Sequence, residues 1–154
     1  MNIVLVEPEI PPNTGNVARL CAATKTRLHL IEPFGFDLDD RQLKRAGMDY
    51  WQQVEWNRWP GWASFQTQLP PGARLWFLES GGPRLYSEAR FATEDYLVFG
   101  RETAGLPPQL LEANRESWLR IPMFNAASRS LNLSNCAALV LYEALRQVGF
   151  RGEQ

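Results

Sequence analysis

Small polar side chains crowd into three loop-like stretches of the sequence, and these residues are the best suited to chemistry. The stretches read "PEIPPNTGN", "FGRETAGLP" and "IPMFNAASRSLNLSN". Each combines glycine or proline with short hydrogen-bonding side chains, as expected of a loop in close contact with a ligand. The third stretch holds six polar residues within eight positions: Ser128, Arg129, Ser130, Asn132, Ser134 and Asn135. One of them, such as Asn132, is enough to cap a helix, so the others indicate a helix entrance that faces a ligand.

Predicted strands and helices alternate around these loops. The near-continuous apolar runs "NIVLVE", "RLHLIEP", "ARLWFLE", "DYLVFG" and "WLRIPM" predict buried strands, and "VEW" predicts a short one. Helices are predicted after "PEIPP", where Asn13 or Thr14 can act as the cap, and at "DLDDRQLKRAG", "GWASFQTQL", "PPQLLEAN" and residues 133–148. We therefore expect one α/β domain over residues 1–154, with a parallel sheet covered by helices. Ligands bind beyond the carboxyl ends of such strands, and each polar loop follows a strand.

Composition narrows the class of protein. Apolar residues make up 45% and charged residues 21% of the chain, as in an ordinary soluble domain, and no apolar run has the length of a membrane span. The absence of a basic leader and the helical settings of Cys21 and Cys136 predict a cytoplasmic protein without disulfides. A net charge of −1 counts against a protein that coats nucleic acid, but it allows a local basic patch.

Several familiar sites are missing from the sequence. There is no glycine-rich dinucleotide fingerprint after a strand and no P-loop. The single histidine, His29, lies inside a predicted strand, where a structural role is the more frequent one. One histidine and two separated cysteines offer little to a zinc site or a Ser-His-Asp triad, so we expect no metal.

Taken together, the three loops resemble the motifs of the SPOUT methyltransferases, specifically the SpoU-type tRNA ribose 2′-O-methyltransferases. "NIVLVEPEIPPNTGNVARLCAAT" is similar to the first motif, "FGRETAGLP" to the second, and "IPM" with "SRSLNLSNCAALVLYEALRQ" to the third. The likeness covers nearly the whole chain and is closest to the TrmL group, which modifies the wobble nucleotide of leucine tRNAs. It implies a trefoil knot near the C-terminus, a homodimer, S-adenosylmethionine (AdoMet) held in the knot loops, and the anticodon stem-loop of tRNA as partner.

The resemblance also implies roles for individual residues. The catalytic positions carried over are Arg19, Asn13, Glu102, Ser130 and Asn132. The AdoMet-binding positions are Leu78, Gly100, Ile121, Met123, Ser130, Leu131 and Asn135. The chain departs from the group at Arg101 and Ala104, where proline and arginine are common. Arg101 is therefore a candidate to hold RNA in place of the missing arginine, and the alternative is a different range of substrates.

The chemistry of this reaction constrains what Arg19 can do. Methyl transfer to a ribose hydroxyl requires that the reactants are positioned and that negative charge on the oxygen is stabilised. Arginine almost never loses its proton, so we favour electrostatic stabilisation over a literal general base. Arg19 is predicted to lie off the apolar helix face of Val17 and Cys21. The alternative is that Arg19 is an ordinary surface arginine on an amphipathic helix, without a catalytic role.

Two further segments leave alternatives open. Arg41, Lys44 and Arg45 share one side of a predicted short helix, either as a phosphate-binding patch or as a solvated face. "LVLYEALRQ" has too many apolar positions for a helix with one wet face, which indicates burial against a partner subunit or within a knotted core.

The sequence thus predicts an AdoMet-dependent ribose 2′-O-methyltransferase that acts on position 34, cytidine or modified uridine, of leucine tRNAs. Two alternatives stay open. One is an enzyme of the same fold that acts on another tRNA position or on ribosomal RNA. The other is a non-catalytic RNA-binding module.

Overall fold

A parallel sheet organises the computed structural model, which describes residues 1–36 and 50–153. Its strands are β1 (Asn2–Val6), β2 (Arg27–Ile31), β3 (Trp56–Trp59), β4 (Leu75–Leu78), β5 (Arg84–Leu85), β6 (Tyr96–Phe99) and β7 (Trp118–Arg120). They lie in the order β3-β2-β1-β6-β4-β7-β5, and every pairing is parallel. The predicted parallel sheet is confirmed. The two-residue β5 was not predicted, because so short a strand carries no apolar pattern.

The described α-helices are α1 (Pro11–Thr24), α2 (Trp62–Thr67), α3 (Pro108–Ala113) and α4 (Leu133–Gln147). Each corresponds to a predicted helix. The predicted helix "DLDDRQLKRAG", with Arg41, Lys44 and Arg45, lies outside the described residues. Across 1–36 and 50–153, no helix is both long and apolar enough to cross a membrane.

The start of α1 differs from the prediction that Asn13 or Thr14 caps it. The capping position is Ile10, which makes no side-chain cap bond, and Pro11 and Pro12 occupy the first helical positions. Proline suits this place because its ring fixes a helical φ and it has no N–H that would need an acceptor. Asn13 is therefore already inside the helix. It is only 5% exposed, and its side chain is free to bond elsewhere.

Helices cover both faces of the sheet. Along β1, Ile3 and Leu5 pack into one core with Val17 of α1 and Val140 of α4. The alternate residues Val4 and Val6 face a second core, which includes Phe65 of α2 and Leu111 of α3. This alternation follows from the two-residue period of a strand. The arrangement leaves the carboxyl edge of the sheet open between the helix layers.

His29 has the structural role that was predicted. It is buried in β2, with Nε2 3.3 Å from the side-chain oxygen of Asn2, while Nδ1 accepts a hydrogen bond from Trp59 Nε1 at 3.3 Å. Burial lowers the pKa of His29 to about 4, and the nearby charge of Arg27 acts in the same direction. The imidazole is therefore neutral at physiological pH.

The strand order brings β7 between β4 and β5, although residues 79–83 join those two strands directly. The joining loop passes very close to the end of β7. A Cβ at Gly82 would lie 2.7 Å from the carbonyl carbon of Leu119, so only glycine fits there. The trefoil knot itself stays a prediction.

Candidate functional site

A cleft of about 490 Å³ opens at the carboxyl edge of the sheet. Its walls are the loops that follow β1, β6, β4 and β7, which are neighbours in the sheet. Ten of the sequence-predicted site residues line it: Asn13, Leu78, Gly100, Arg101, Glu102, Ile121, Met123, Ser130, Leu131 and Asn132. A volume of this size is within the range of small-molecule sites, roughly 300–1,000 Å³. The three polar loops therefore meet at one cavity.

A series of side-chain hydrogen bonds joins the three loops. Asn13 Nδ2 donates to Glu102 Oε1 at 3.2 Å. Asn13 Oδ1 in turn accepts from Asn132 Nδ2 at 2.8 Å. Asn132 Oδ1 accepts from the backbone N–H of Ser134 at 2.9 Å and from its hydroxyl at 2.6 Å, so Asn132 is also the cap of α4. One residue from each motif thus takes part in a continuous series.

Glu102 and Glu9 connect the loops after β1 and β6 by a reciprocal exchange. The Glu102 carboxylate accepts from the backbone N–H groups of Glu9 at 2.8 Å and Ile10 at 3.1 Å. The Glu9 carboxylate accepts from the backbone N–H of Thr103 at 3.0 Å and from its hydroxyl. With Asn13, three donors occupy Glu102. Its observed role is to order the loops, and a charge-assisted bond to each backbone N–H suits that role.

Arg101 forms an ion pair with Glu7, the first residue after β1. Glu7 has a φ of 53°, in the left-handed region that non-glycine residues seldom adopt. The Arg101 side chain is 42% exposed, so the pair is only partly shielded from solvent. Neither Glu7 nor Glu9 was singled out from the sequence. Their signal was the acidic "VEPE" directly after a buried strand.

The glycines of the second loop permit contact of backbone with backbone. Arg101 and Gly105 exchange two backbone hydrogen bonds, at 3.1 and 3.0 Å, which close a tight turn. A Cβ at Gly100 would overlap the backbone of Gly105. The sequence predicts that these glycines admit a ligand. In the structure they first allow the loop to fold on itself.

Arg19 and Asn135 are not lining residues of the cleft. Arg19 lies on the exposed side of α1, off the buried face of Val17 and Cys21, and its guanidinium carbon is 5.0 Å from the centre of the Tyr50 ring. This is a cation–π contact. Asn135 lies in the first turn of α4, where its backbone N–H is 3.4 Å from Asn132 Oδ1. The catalytic role of Arg19 and the cofactor role of Asn135 stay predictions.

Cys136 and Arg129 also line the cleft. Burial raises the pKa of the Cys136 thiol, and the negative charge of Glu79 adds to the effect, so the thiol is protonated at neutral pH. Within the described part of the chain, no group of three or more histidine, cysteine, aspartate or glutamate residues is placed to hold a metal ion.

The motifs that meet at this cleft are those of a known family. Residues 1–142 match the SpoU rRNA Methylase family. The chain belongs to this family. The predicted membership is confirmed, and with it the assignment of the parallel sheet and its flanking helices to the SpoU methyltransferase fold.

Relatives of about the same length are similar to this chain in sequence. A tRNA (cytidine(34)-2′-O)-methyltransferase of Saccharophagus degradans is 53% identical over 156 residues, which cover 99% of this chain and 99% of the relative. A protein of the same description from Aeromonas hydrophila is 48% identical, over 99% of this chain and 97% of the relative.

Two solved structures are similar to this chain over nearly its whole length. A structure that concerns the 2-OH methylation of C/U34 on tRNA has a TM-score of 0.91 at 46% identity and covers 97% of both chains. An AdoMet-bound rRNA methyltransferase from Sinorhizobium meliloti has a TM-score of 0.83 at 25% identity. That match covers 96% of this chain and 56% of the other.

Proposed function

We propose that this SpoU-family protein is a cytoplasmic, AdoMet-dependent ribose 2′-O-methyltransferase that acts on the wobble nucleotide, position 34, of leucine tRNAs. The observation that carries the proposal is the hydrogen-bonded series Glu102–Asn13–Asn132, which brings one residue of each family motif to a single cleft. The 53% identity to the S. degradans tRNA (cytidine(34)-2′-O)-methyltransferase supports the substrate assignment.

The cleft residues fit AdoMet, which combines an apolar base face with polar and charged groups. Leu78, Ile121, Met123 and Leu131 supply apolar walls, and Ser130 and the Gly100 backbone supply polar contacts. A volume of about 490 Å³ is adequate for a ligand of this size. These residues would hold AdoMet, which when bound supplies an electrophilic methyl group.

The protein's own contribution is to orient the ribose hydroxyl and to stabilise the charge that develops on its oxygen. Asn13 and Asn132 are held in fixed positions by the bonds to Glu102 and Ser134, so the cleft is preorganised. Arg19 would supply a permanent positive charge. Because Arg19 lies outside the lining of the cleft, we assign its role to the complex with RNA.

We further propose a homodimer formed through α4. Leu139 and Tyr142 are 43% and 50% exposed, whereas Val140 and Leu141 on the same helix are fully buried. Of the two alternatives, burial within the chain's own core therefore does not account for Tyr142. A Leu139→Glu variant should be monomeric by size-exclusion chromatography with light scattering. A dimer in that variant would contradict an interface at this face.

The decisive test is methyl transfer from labelled AdoMet to an unmodified leucine tRNA, followed by mapping of the modified nucleotide. We expect label at position 34. Arg19→Ala should lower transfer by about 100-fold with an unchanged melting temperature, as expected for loss of charge stabilisation. Arg151→Ala, at an exposed arginine near the C-terminus, is the matched control. Label at another nucleotide, or RNA binding without transfer, would instead support one of the two alternatives.

A further inference from the structure

Glu79 follows β4 directly and lines the cleft, although it belongs to none of the three motifs. Its Oε2 accepts a hydrogen bond from the backbone N–H of Leu106 at 2.9 Å. Its Oε1 accepts from the backbone N–H and the hydroxyl of Ser80, at 2.8 and 2.9 Å. One carboxylate thus connects the loop after β4, next to Leu78, with the loop after β6, which begins at Gly100.

The main chain of Glu79 is attached to a third wall of the cleft. Its N–H donates to the carbonyl of Leu119 in β7 at 3.0 Å, and its carbonyl accepts from Trp118 Nε1 at 3.4 Å. These two bonds hold the backbone of Glu79 in a fixed position beside β7. The hydrogen bond from Leu106 to the Glu79 carboxylate therefore sets the distance between β7 and the loop after β6.

Gly105 is the structural counterpart of Glu79. It has a φ of +65°, and a Cβ there would lie 2.7 Å from Glu79 Cδ and would overlap the carboxylate oxygen. The side chain of Glu79 occupies the space that any larger residue at position 105 would need. The two positions therefore form a matched pair.

We propose that Glu79 is a positioning residue of the methyl-donor pocket, which fixes the spacing of Leu78 and Gly100 and thereby sets the affinity for AdoMet. The inference rests on the proposed function, because it takes this cleft as the AdoMet site. Glu79 does not act on the reacting atoms, so its loss affects donor binding far more than the chemical step.

The test compares Glu79→Ala with the wild-type full-length chain by calorimetric titration with AdoMet and by steady-state methyl transfer. We expect the Kd and the KM for AdoMet to rise at least about 10-fold, the effect of losing bonds to a charged group. The kcat at saturating AdoMet and the KM for tRNA should stay within about threefold, since the hydroxyl-positioning residues are untouched.

Glu88→Ala is the matched control. The Glu88 carboxylate accepts from the backbone N–H of Leu85 at 3.0 Å, a similar bond that lies away from the cleft lining. Its loss should leave the Kd for AdoMet unchanged, so a comparable rise in both variants would contradict a specific role for Glu79.

Gly105→Ala tests the matched pair. Alone, it should displace the Glu79 carboxylate and weaken AdoMet binding as Glu79→Ala does. Alanine at a φ of +65° also strains the backbone, so added to Glu79→Ala it should cause some further loss, but a smaller one than it causes alone; fully additive losses would overturn the proposal. If Gly105→Ala does not fold, Glu79→Leu decides the matter. The leucine side chain is of similar size but has no oxygen to accept from the Leu106 N–H, so a raised Kd for AdoMet is expected and a wild-type Kd contradicts the role.

The outcomes separate the two proposals. A wild-type protein that neither binds AdoMet nor transfers methyl groups overturns the proposed function. A wild-type protein that does both, beside a Glu79→Ala variant with the same Kd, overturns this inference alone. This inference alone is also overturned if Glu79→Ala lowers the melting temperature but leaves the Kd for AdoMet unchanged.

Discussion

Asn132 Nδ2 donates a hydrogen bond of 2.8 Å to Asn13 Oδ1 across a separation of 119 residues. Asn132 is also the cap of α4, and Asn13 lies in the first turn of α1. The bond therefore joins the starts of the two helices that pack on the same face of the sheet. Because Asn13 donates onward to Glu102, the series ends at a carboxylate. An ionised carboxylate accepts hydrogen bonds and donates none.

Asn13→Asp should disrupt this series. The new carboxylate would stand 3.2 Å from Glu102 Oε1, where the amide now donates, and like charges at that distance repel. We expect a loss of about 1–3 kcal/mol in unfolding free energy and about a 100-fold loss of methyl transfer. Urea titration and transfer assays check both. Asn16→Asp, at an exposed position of α1, should change neither quantity. Wild-type activity in Asn13→Asp would contradict the role of the series.

Glu102→Gln separates loop ordering from proton transfer. Glutamine offers one acceptor oxygen to the three donors Glu9, Ile10 and Asn13. We expect the unfolding free energy to fall by about 1–3 kcal/mol and transfer to fall with it. If Glu102 were a general base, transfer would vanish at unchanged stability. Glu112→Gln, at an exposed position of α3, is the control for the loss of one negative charge.

His29 makes stability depend on pH. Burial holds its pKa at about 4 instead of 6.5, so the unfolded chain binds a proton in this interval that the folded chain does not. The stability contribution is complete above about pH 6.5 and is lost as the pH falls toward 4. Between pH 7.5 and pH 5 we expect His29 to account for about 2 kcal/mol of lost unfolding free energy. Urea titrations of wild type and His29→Gln at both pH values measure this term, and equal losses in the two proteins would refute it.

Arg101→Gln tests whether this arginine holds RNA. Its pair with Glu7 is partly exposed, so we expect a stability cost below about 1 kcal/mol. If the guanidinium also meets a phosphate, the Kd for tRNA rises and the slope of log Kd against log salt falls by about 1. Glu7→Gln, which releases Arg101, should strengthen tRNA binding. An unchanged salt slope in Arg101→Gln would restrict Arg101 to the pair with Glu7.

The fold class and most of the elements could be predicted, because buried parallel strands leave long apolar runs and proline and glycine mark helix ends. The start of α1 could not, since Asn13 is a good cap in isolation. Pro11 and Pro12 shift the start, and only the positions of Glu102 and Asn132 show why Asn13 belongs inside the helix. The strand order is likewise a property of the folded chain.

The site was predicted from the motif residues. The prediction was incomplete where contacts join residues that are far apart in the sequence. Glu9 meets Thr103, and Glu79 meets Leu106 and Gly105, in contacts that no local pattern encodes. Conversely, Arg19 was carried over by family likeness, and the geometry of one chain does not bring it into the cleft. The local sequence motifs thus identified the loops, while the hydrogen bonds that connect the loops are seen only in the structure.

The bond between Asn13 and Asn132 also has a consequence for synthesis on the ribosome. The first loop of the cleft leaves the ribosome long before α4, so the cleft of the nascent chain is incomplete until its last helix has emerged and docked. Contacts of such long range form late because the intervening chain must first be ordered. Under the proposed function, AdoMet would bind only after α4 has docked, and a chain interrupted before residue 132 would not bind it.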